Sequence, residues 1–592
     1  MRTIRIFFFL LLSLDGFSQN NRPIGINLVG VTDWSTELVF TDAFRQSRWW
    51  ISSNADGSGP WDSQVTIPLN AQGYPLQIPY SDGIHSPQLV KALMLWDIGE
   101  AEPLGQYRLK VEGSGEVRLQ FGATGTFACP VDTMVAVTGP VCLQITQSFV
   151  NDPISNIDFV YPQYVNTYQT QTFTNELLDF VADFETIRFM DWERTNGSQV
   201  QEWSDRTPVD YYSQEMNTGV AWEYVIELAN LTQKNVWINI PHKASDSYIS
   251  QLAQLLHSQL NPNLKIYLEY SNEVWNSIFS QNSDCAAMAA DLGFTGQPWE
   301  RAWKYTAKRS ADVFYMFETE FGGSNNLVKL LPSQAANSWI AGQLVGFLND
   351  TLYNPHHVQA DAIAIAPYFA GNVANVIANQ NAQDTITVET ILGLMADAIS
   401  YSSIWMNDNQ SVADANGLGL VCYEGGQHLV ATGNYQNDTT LTSKLIAANH
   451  HPALQDIYCD YLDTWYSNHP GLFCQFSSHG NPSKYGSWGV KINYQDTLNP
   501  KYLALQNCVF SNNLGVGYPE STAKKNWVQV YPNPGSERIL LKGFVNSKRV
   551  ELYNSIGELQ YSIQGPELSV IHLKPGLYFI RQDQRMAKFI KE

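Results

Sequence analysis

The chain has 592 residues, 44% apolar and only 15% charged, with a formal net charge of −21. That length calls for two to four domains rather than one core, and the apolar share is that of a folded chain. The acidic balance argues against nucleic acid or an anionic membrane surface as a partner, because both need basic patches.

Residues 1–18, MRTIRIFFFLLLSLDGFS, carry two arginines, a short apolar core and then small or polar residues. This is the pattern of a secretory signal cut near Ser18. The apolar run is too short to span a membrane, and no later stretch reaches the ~20 apolar residues a span needs. PIGINLVGVTDWS then reads as a buried strand ending in a polar, aromatic loop, and FTDAFRQSRWW has helix-like spacing. From residue 53 to 165 short alternating runs such as YRLKVEGSGEVRLQFG and VCLQITQSF are punctuated by Gly, Pro and Asn. Such alternation predicts an inserted antiparallel β-sandwich.

Strand–helix alternation follows. The apolar runs are TIRFMDW, VWINIPH, KIYLEYSNE, LVKLLPSQ, DAIAIAPYF, LGLVCYEGG and GLFCQFSSHG, each separated from the next by sequence with helical spacing. With INLVG they make eight, which predicts a (β/α)8 TIM barrel built from residues 22–52 and 166–508. An open doubly wound sheet is the alternative. The barrel is favoured because polar and aromatic residues recur where the strands end, and functional residues of a barrel collect there. Residues 509–526 read as a linker, and 527–592, again alternating and turn-rich, as a small C-terminal β-sandwich.

Seven cysteines leave at least one unpaired. Cys129 and Cys142 flank a short segment and are candidates for a disulfide in an oxidising compartment, with the pairing left open, while Cys422 and Cys474 read as core residues. The chain has no CxxC and no HExxH, so no metal or cofactor is expected.

Two of the strand ends carry glutamates: Glu273 in YLEYSNEVWNS on the fourth strand and Glu424 in LVCYEGGQ on the seventh. Either alone is more often a solvated loop residue. Together, across a barrel mouth, they can supply the two carboxyls, ~5–5.5 Å apart, that cleave a glycosidic bond with retention. Glu273 then donates a proton and Glu424 attacks the anomeric carbon. Asn272 is placed to bond a sugar hydroxyl, Tyr368 to orient Glu424, and Arg188 to keep Glu424 ionised from inside the barrel. Glu269, inside an apolar strand, must be paired or neutral and reads as support. His242 orients substrate or satisfies a buried hydrogen bond. His428 and His479 read as ordinary loop histidines. Aromatic content is 12%, and Trp34, Trp49, Trp192, Trp275 and Trp488 are expected near the mouth as sugar-stacking platforms.

These residues resemble the clan A glycoside hydrolases, retaining (β/α)8 enzymes. The likeness lies in Arg188 of TIRFMDW, His242 of VWINIPH, ExxNE at Glu269–Glu273, Tyr368 of IAPYF and the glutamate of VCYEGG. It implies acid/base for Glu273 and nucleophile for Glu424. This chain departs from the clan in having Asn-Glu-Val-Trp where many members have Asn-Glu-Pro. Its eighth strand, LFCQFSSHG, also lacks the tryptophan that often floors the catalytic subsite, a place Trp488 is expected to fill. The C-terminal part resembles a type IX secretion sorting domain in YPNP (531–534), VELYNSIGE (550–558), LKPGLYFIR (573–581) and Lys588. That likeness implies outer-membrane secretion machinery as a partner and a secreted or cell-surface location. The leading expectation is a secreted enzyme acting on a β-linked polysaccharide of the β-glucan or hemicellulose type. The alternatives are a non-catalytic carbohydrate (cellulose)-binding surface protein on a glycosidase-like scaffold, and a cell-surface adhesin.

Overall fold

The computed structural model describes residues 22–469, 471–511 and, toward the C-terminus, 529–531, 535–542, 549–554, 559–565, 567–582 and 585–591. The expected signal, most of the expected linker and parts of the YPNP and VELYNSIGE motifs lie outside these residues. The chain divides into two units at residue 515.

In the first unit eight parallel strands close into a barrel. In chain order they are Ile24–Asn27, Thr186–Arg188, Asn235–Ile240, Ile266–Tyr270, Leu327–Pro332, Ala362–Ile365, Gly419–Gly425 and Phe473–Gln475. Each pairs with its neighbours in sequence, and the ring closes where Ile24–Ile26 lie beside Phe473–Gln475. Helices fill the crossovers, for example Asn175–Val181, capped by the Thr174 hydroxyl, and Asp246–Gln259, capped by Ser245.

Period-two alternation decides what each strand shows to the barrel interior. On the fourth strand Ile266, Leu268 and Tyr270 join the core beneath the helices. Tyr267 instead packs inside the barrel with Trp237, Leu330, Ala364, Val421, Tyr423 and Cys474. Glu269 shares that inward parity. On the seventh strand Val421 and Tyr423 face inward, while Leu420 and Cys422 join the outer core. Strict alternation would turn Glu424 outward. The pairing with strand eight shifts register between Cys422 and Gly425, an irregularity of the kind that re-aims a side chain beside an active site. Gly425 makes room for it, since a Cβ there would stand 2.2 Å from the Phe473 ring.

The strands of the insertion join in one antiparallel hydrogen-bonded network. Its strands are Ile51–Asn54, Gln88–Met94, Gly105–Phe121, Gly125–Val137, Val141–Ser148 and Ser155–Val160. The long strand Gly105–Phe121 pairs with Ser155–Val160 along its first half and with Val141–Ser148 along its second. The break falls at Gly113, whose φ of 82° and lack of a Cβ let it lie against the Pro153 carbonyl. The sheet's core includes Leu38, Phe44 and Tyr212 from the barrel's loops, so insertion and barrel pack together. FTDAFRQSRWW, expected as a helix, is helical only at Ala43–Gln46. Just beyond, the Arg48 amide bonds the Leu93 carbonyl and the chain enters the sheet.

Cys129 and Cys142 do not pair; both are free thiols. The strand Gly105–Phe121 runs between theirs, with Gly115 opposite Cys129 and Gln120 opposite Cys142. Two strand spacings, ~9–10 Å, exceed what a disulfide bridges. The disulfide is Cys459–Cys508. Val509 and Phe510, expected to begin a linker, are buried in the barrel's core. Cys422 and Cys474 are buried and free, as read from their apolar runs.

The second unit has a three-stranded and a four-stranded antiparallel sheet. Ile539, Leu541 and Leu568 of the first share a core with Val550, Leu552, Tyr578, Ile580 and Phe589 of the second. Among the described residues of the chain no helix is long and apolar enough to cross a membrane.

Gly25 on the first barrel strand tests the packing of the closure. A Cβ there would lie 2.5 Å from Cys474 Sγ and 3.0 Å from the Thr186 carbonyl oxygen. Gly25→Ala is expected to destabilise the barrel by about 1–3 kcal/mol, read as a lower urea midpoint with an unchanged slope.

Candidate active site

Arg188 ends the second strand with its side chain fully buried in the barrel. Nη1 donates to Asn27 Oδ1 at 2.9 Å and to Glu424 Oε1 at 2.7 Å. Nη2 donates to Glu269 Oε2 and Asn272 Oδ1, both at 3.0 Å. One side chain thus ties strands one, two, four and seven together. Glu269 is fully buried and paired, as a carboxylate inside an apolar strand must be. Its Oε2 also accepts from Trp237 Nε1 at 2.8 Å and Asn239 Nδ2 at 2.7 Å. Burial raises its pKa, and Arg188 with those donors pulls against the rise.

Past the fourth strand the backbone kinks. Ser271 and Glu273 both take left-handed φ values, 59° and 44°, a conformation that strains residues other than glycine and collects at functional sites. The Glu273 carboxylate accepts from Tyr423 Oη and from Asn276 Nδ2, each at 2.9 Å. Burial first, and then the negative charge of Glu424, push its pKa up to about 7. Glu424 receives Arg188 on one oxygen and the Tyr368 hydroxyl, at 3.0 Å, on the other. Burial and the Glu424 charge hold the Tyr368 pKa well above its usual value, which keeps that hydroxyl a donor.

A cleft of about 500 Å3 opens beside this pair, lined by Glu273, Trp275, Asn276, Gln334, Tyr368, Tyr401, Trp405 and His428 among others. Trp488, from the loop after strand eight, stands edge-on to Tyr368 at 6.0 Å and to His428 at 5.0 Å. It also packs edge-on against Phe476, just past the eighth strand, at 5.9 Å, on the side of the Tyr368 and His428 rings. A second cavity of about 520 Å3 lies over strands one, two and eight, lined by Trp34, Asp97, Asp191, Arg194 and His479 among others. Trp34 is 44% exposed there, with the Arg48 guanidinium 5.1 Å from its ring. Asp191 has its pKa raised to about 6 by burial and by the Glu424 charge, so it belongs to the same electrostatic site.

The remaining expected residues divide. Asn272 is 2% exposed. Its oxygen accepts from Arg188 and one of its two amide N–H groups donates to Asn196 Oδ1 at 3.1 Å. His242 is a buried partner of Asp284, Nε2 to Oδ2 at 2.9 Å, and burial lowers its pKa. Trp192 is 1% exposed and packs on Phe189 and Phe173 in the core, which leaves no face for a sugar. Trp49 is exposed. His479 is buried against Glu37 at 3.0 Å, whereas His428, read as an ordinary loop residue, lines the cleft. Tyr423, Asn276, Tyr401 and Trp405 went unremarked. Only Tyr423 left a signal, through its inward parity beside Glu424.

No protein-family model matches this chain, and no curated protein matches it. Among solved structures, a modular endo-β-1,4-mannanase from Cellulomonas fimi is 10% identical, with 71% of this chain and 89% of that one covered and a TM-score of 0.30. A trimodular endoglucanase of the GH5_4 subfamily is 13% identical, with coverages of 71% and 73% and a TM-score of 0.36. A xylanase 10C from Cellvibrio japonicus is 12% identical, with coverages of 78% and 98% and a TM-score of 0.34. The barrel of this chain stands on its own closed ring of hydrogen-bonded strands, and its site on the contacts above.

Arg188→Met removes the shared cation and leaves Glu269 buried without it. The expected loss is about 3–5 kcal/mol of folding stability, measured by urea unfolding. Glu424→Gln removes one of the two causes that raise Glu273. The Glu273 titration, followed by carboxyl 13C NMR, is expected to move below about 7 while staying above an ordinary glutamate, because burial remains.

Proposed function

We propose that this protein is a retaining glycoside hydrolase acting on a β-linked polysaccharide. The observation that carries the reading is the contrast between two neighbouring carboxyls. Glu273 has neutral donors and a pKa raised to about 7, which lets it hold a proton for the leaving oxygen. Glu424 receives a cation and a hydroxyl, which leaves it an acceptor able to attack the anomeric carbon. A carboxyl kept protonated beside one held by a cation is the division of labour that separates acid from nucleophile.

In this mechanism a sugar lies across the mouth between Trp275, Trp488 and Tyr368. Glu273 protonates the glycosidic oxygen as Glu424 forms a glycosyl ester with release of the leaving sugar. Glu273, now ionised, takes a proton from water, which opens the ester with a second inversion. The net configuration is retained. Arg188 and Tyr368 fix the attacking oxygen through both steps. We further propose that the protein works outside the cell, on the strength of residues 1–18 and the sorting-domain motifs near the C-terminus.

Hydrolysis of a panel of β-glucans, mannans and xylans, with the product anomer followed by NMR, tests the reading. Glu273→Ala is expected to lower kcat by about 10²–10⁴-fold and Glu424→Ala to abolish turnover. Unaltered hydrolysis by either variant overturns the assignment, and binding without hydrolysis by the wild type turns it to the carbohydrate-binding alternative. Since Glu273 must be protonated to act, kcat/KM is expected to fall as pH rises through about 7.

A further inference from the structure

Outside the cleft three indoles meet on the outer edge of the barrel mouth. Trp299 and Trp303 lie in the first turns of the helix Pro298–Phe321, and Trp339 in the first turn of the helix Ser338–Leu348. The ring centroids are 4.6 Å apart for Trp299 and Trp303, 5.8 Å for Trp299 and Trp339, and 5.5 Å for Trp303 and Trp339. Trp303 is buried and forms the base. Trp299 and Trp339 remain 43% and 52% exposed. Large apolar side chains exposed side by side, rather than scattered, mark a surface that meets a ligand.

The place of this cluster says what the ligand is. The helix Ser338–Leu348 follows strand five directly, so its first turn lies at the strand ends where the glutamates stand. The loop between them, Gln334 to Ala336, is itself a wall of the cleft that holds Glu273. Trp339 comes three residues after Ala336, a reach of at most ~11 Å. On the same helix, Lys304 and Glu300 form an ion pair at 2.6 Å, and Arg301 bonds the Ala286 and Gly296 carbonyls. A neutral chain with flat C–H faces, continuous with what fills the cleft, fits such a surface.

We propose that Trp299 and Trp339, seated on Trp303, form an outlying subsite that stacks neutral sugar rings of a polysaccharide chain leaving the cleft past Gln334. The inference rests on the glycosidase reading and deepens it: the protein acts on chains long enough to reach from Glu273 to this edge. The subsite touches no reacting atom, so it acts on polymer capture and not on bond cleavage.

The test uses the full chain with Trp299→Ala, Trp339→Ala and the double variant. In a Glu273→Gln background, retardation in gels containing a soluble β-glucan, mannan or xylan reads binding without cleavage. In the active background, the ratio of kcat/KM on that polymer to kcat/KM on its short oligosaccharide reads the subsite. The double variant is expected to bind the polymer about tenfold more weakly or worse, and its ratio to fall by a similar factor. Trp339→Phe, which keeps an aromatic face, is expected to restore most of both. Trp339 alone is exposed enough that its alanine variant folds, shown by an unchanged unfolding midpoint. A ratio within twofold of wild type overturns the subsite, as does equal loss on polymer and oligosaccharide. So does a dimeric wild type that the double variant makes monomeric, because the surface then belongs to a second copy of the chain. If the wild type hydrolyses no glycan, the glycosidase reading fails by itself, and the gel measurement still decides whether the tryptophans hold sugar.

Discussion

One buried guanidinium organises the mouth of this barrel. Arg188 lies between Glu269 and Glu424 and also holds Asn27 and Asn272. A buried ion pair adds little net stability, yet losing one member of it is severe, because the partner is left charged and dry. The arrangement therefore specifies geometry more than it stabilises the fold. It fixes the Glu424 carboxylate relative to the strand that leads to Glu273, across 236 positions of sequence from Arg188.

That constraint also gives the two glutamates of one site different partners. Arg188 bonds Glu424 and Glu269 directly but reaches Glu273 only as a weak influence, behind burial, the Glu424 charge and the hydrogen bonds of Asn276 and Tyr423. Glu273 consequently keeps a raised pKa beside a carboxylate that has a cation of its own. The left-handed Ser271 and Glu273 bring this about by carrying the chain off the line of strand four at the point where regular pleating ends.

Much of this was legible in the sequence. Eight apolar runs with helical spacers gave the barrel, and Glu269 announced itself as a carboxylate inside an apolar strand. The inward parity of Tyr267 and Glu269 follows from period two alone. What period two cannot carry is parity past a strand's end or through a register shift. Trp192 sits four residues after Arg188, the right parity for the interior, but the strand stops at Arg188 and Trp192 folds into the outer core. Glu424 has the wrong parity and reaches the site because of the shift before Gly425. The true disulfide joins Cys459, in a helix, to Cys508 near the barrel's last residues, a contact no spacing pattern encodes. His428 depends on the path of a loop, and loop paths are set by tertiary packing rather than by local periodicity.

The ring of strands has one further consequence, for how the molecule comes to exist. Its seam joins Ile24–Ile26 to Phe473–Gln475, so the first barrel strand to be synthesised finds its second neighbour only when nearly all of the barrel has been made. Until then the growing parallel sheet has at most seven strands and two open edges, and long-range pairings of this kind are the slow, aggregation-exposed part of folding. The Arg188–Glu424 contact is subject to the same delay. A chain stalled before the seventh strand would carry Arg188 and Glu269 without Glu424, so the site's charge balance waits on one of the last two strands of the barrel.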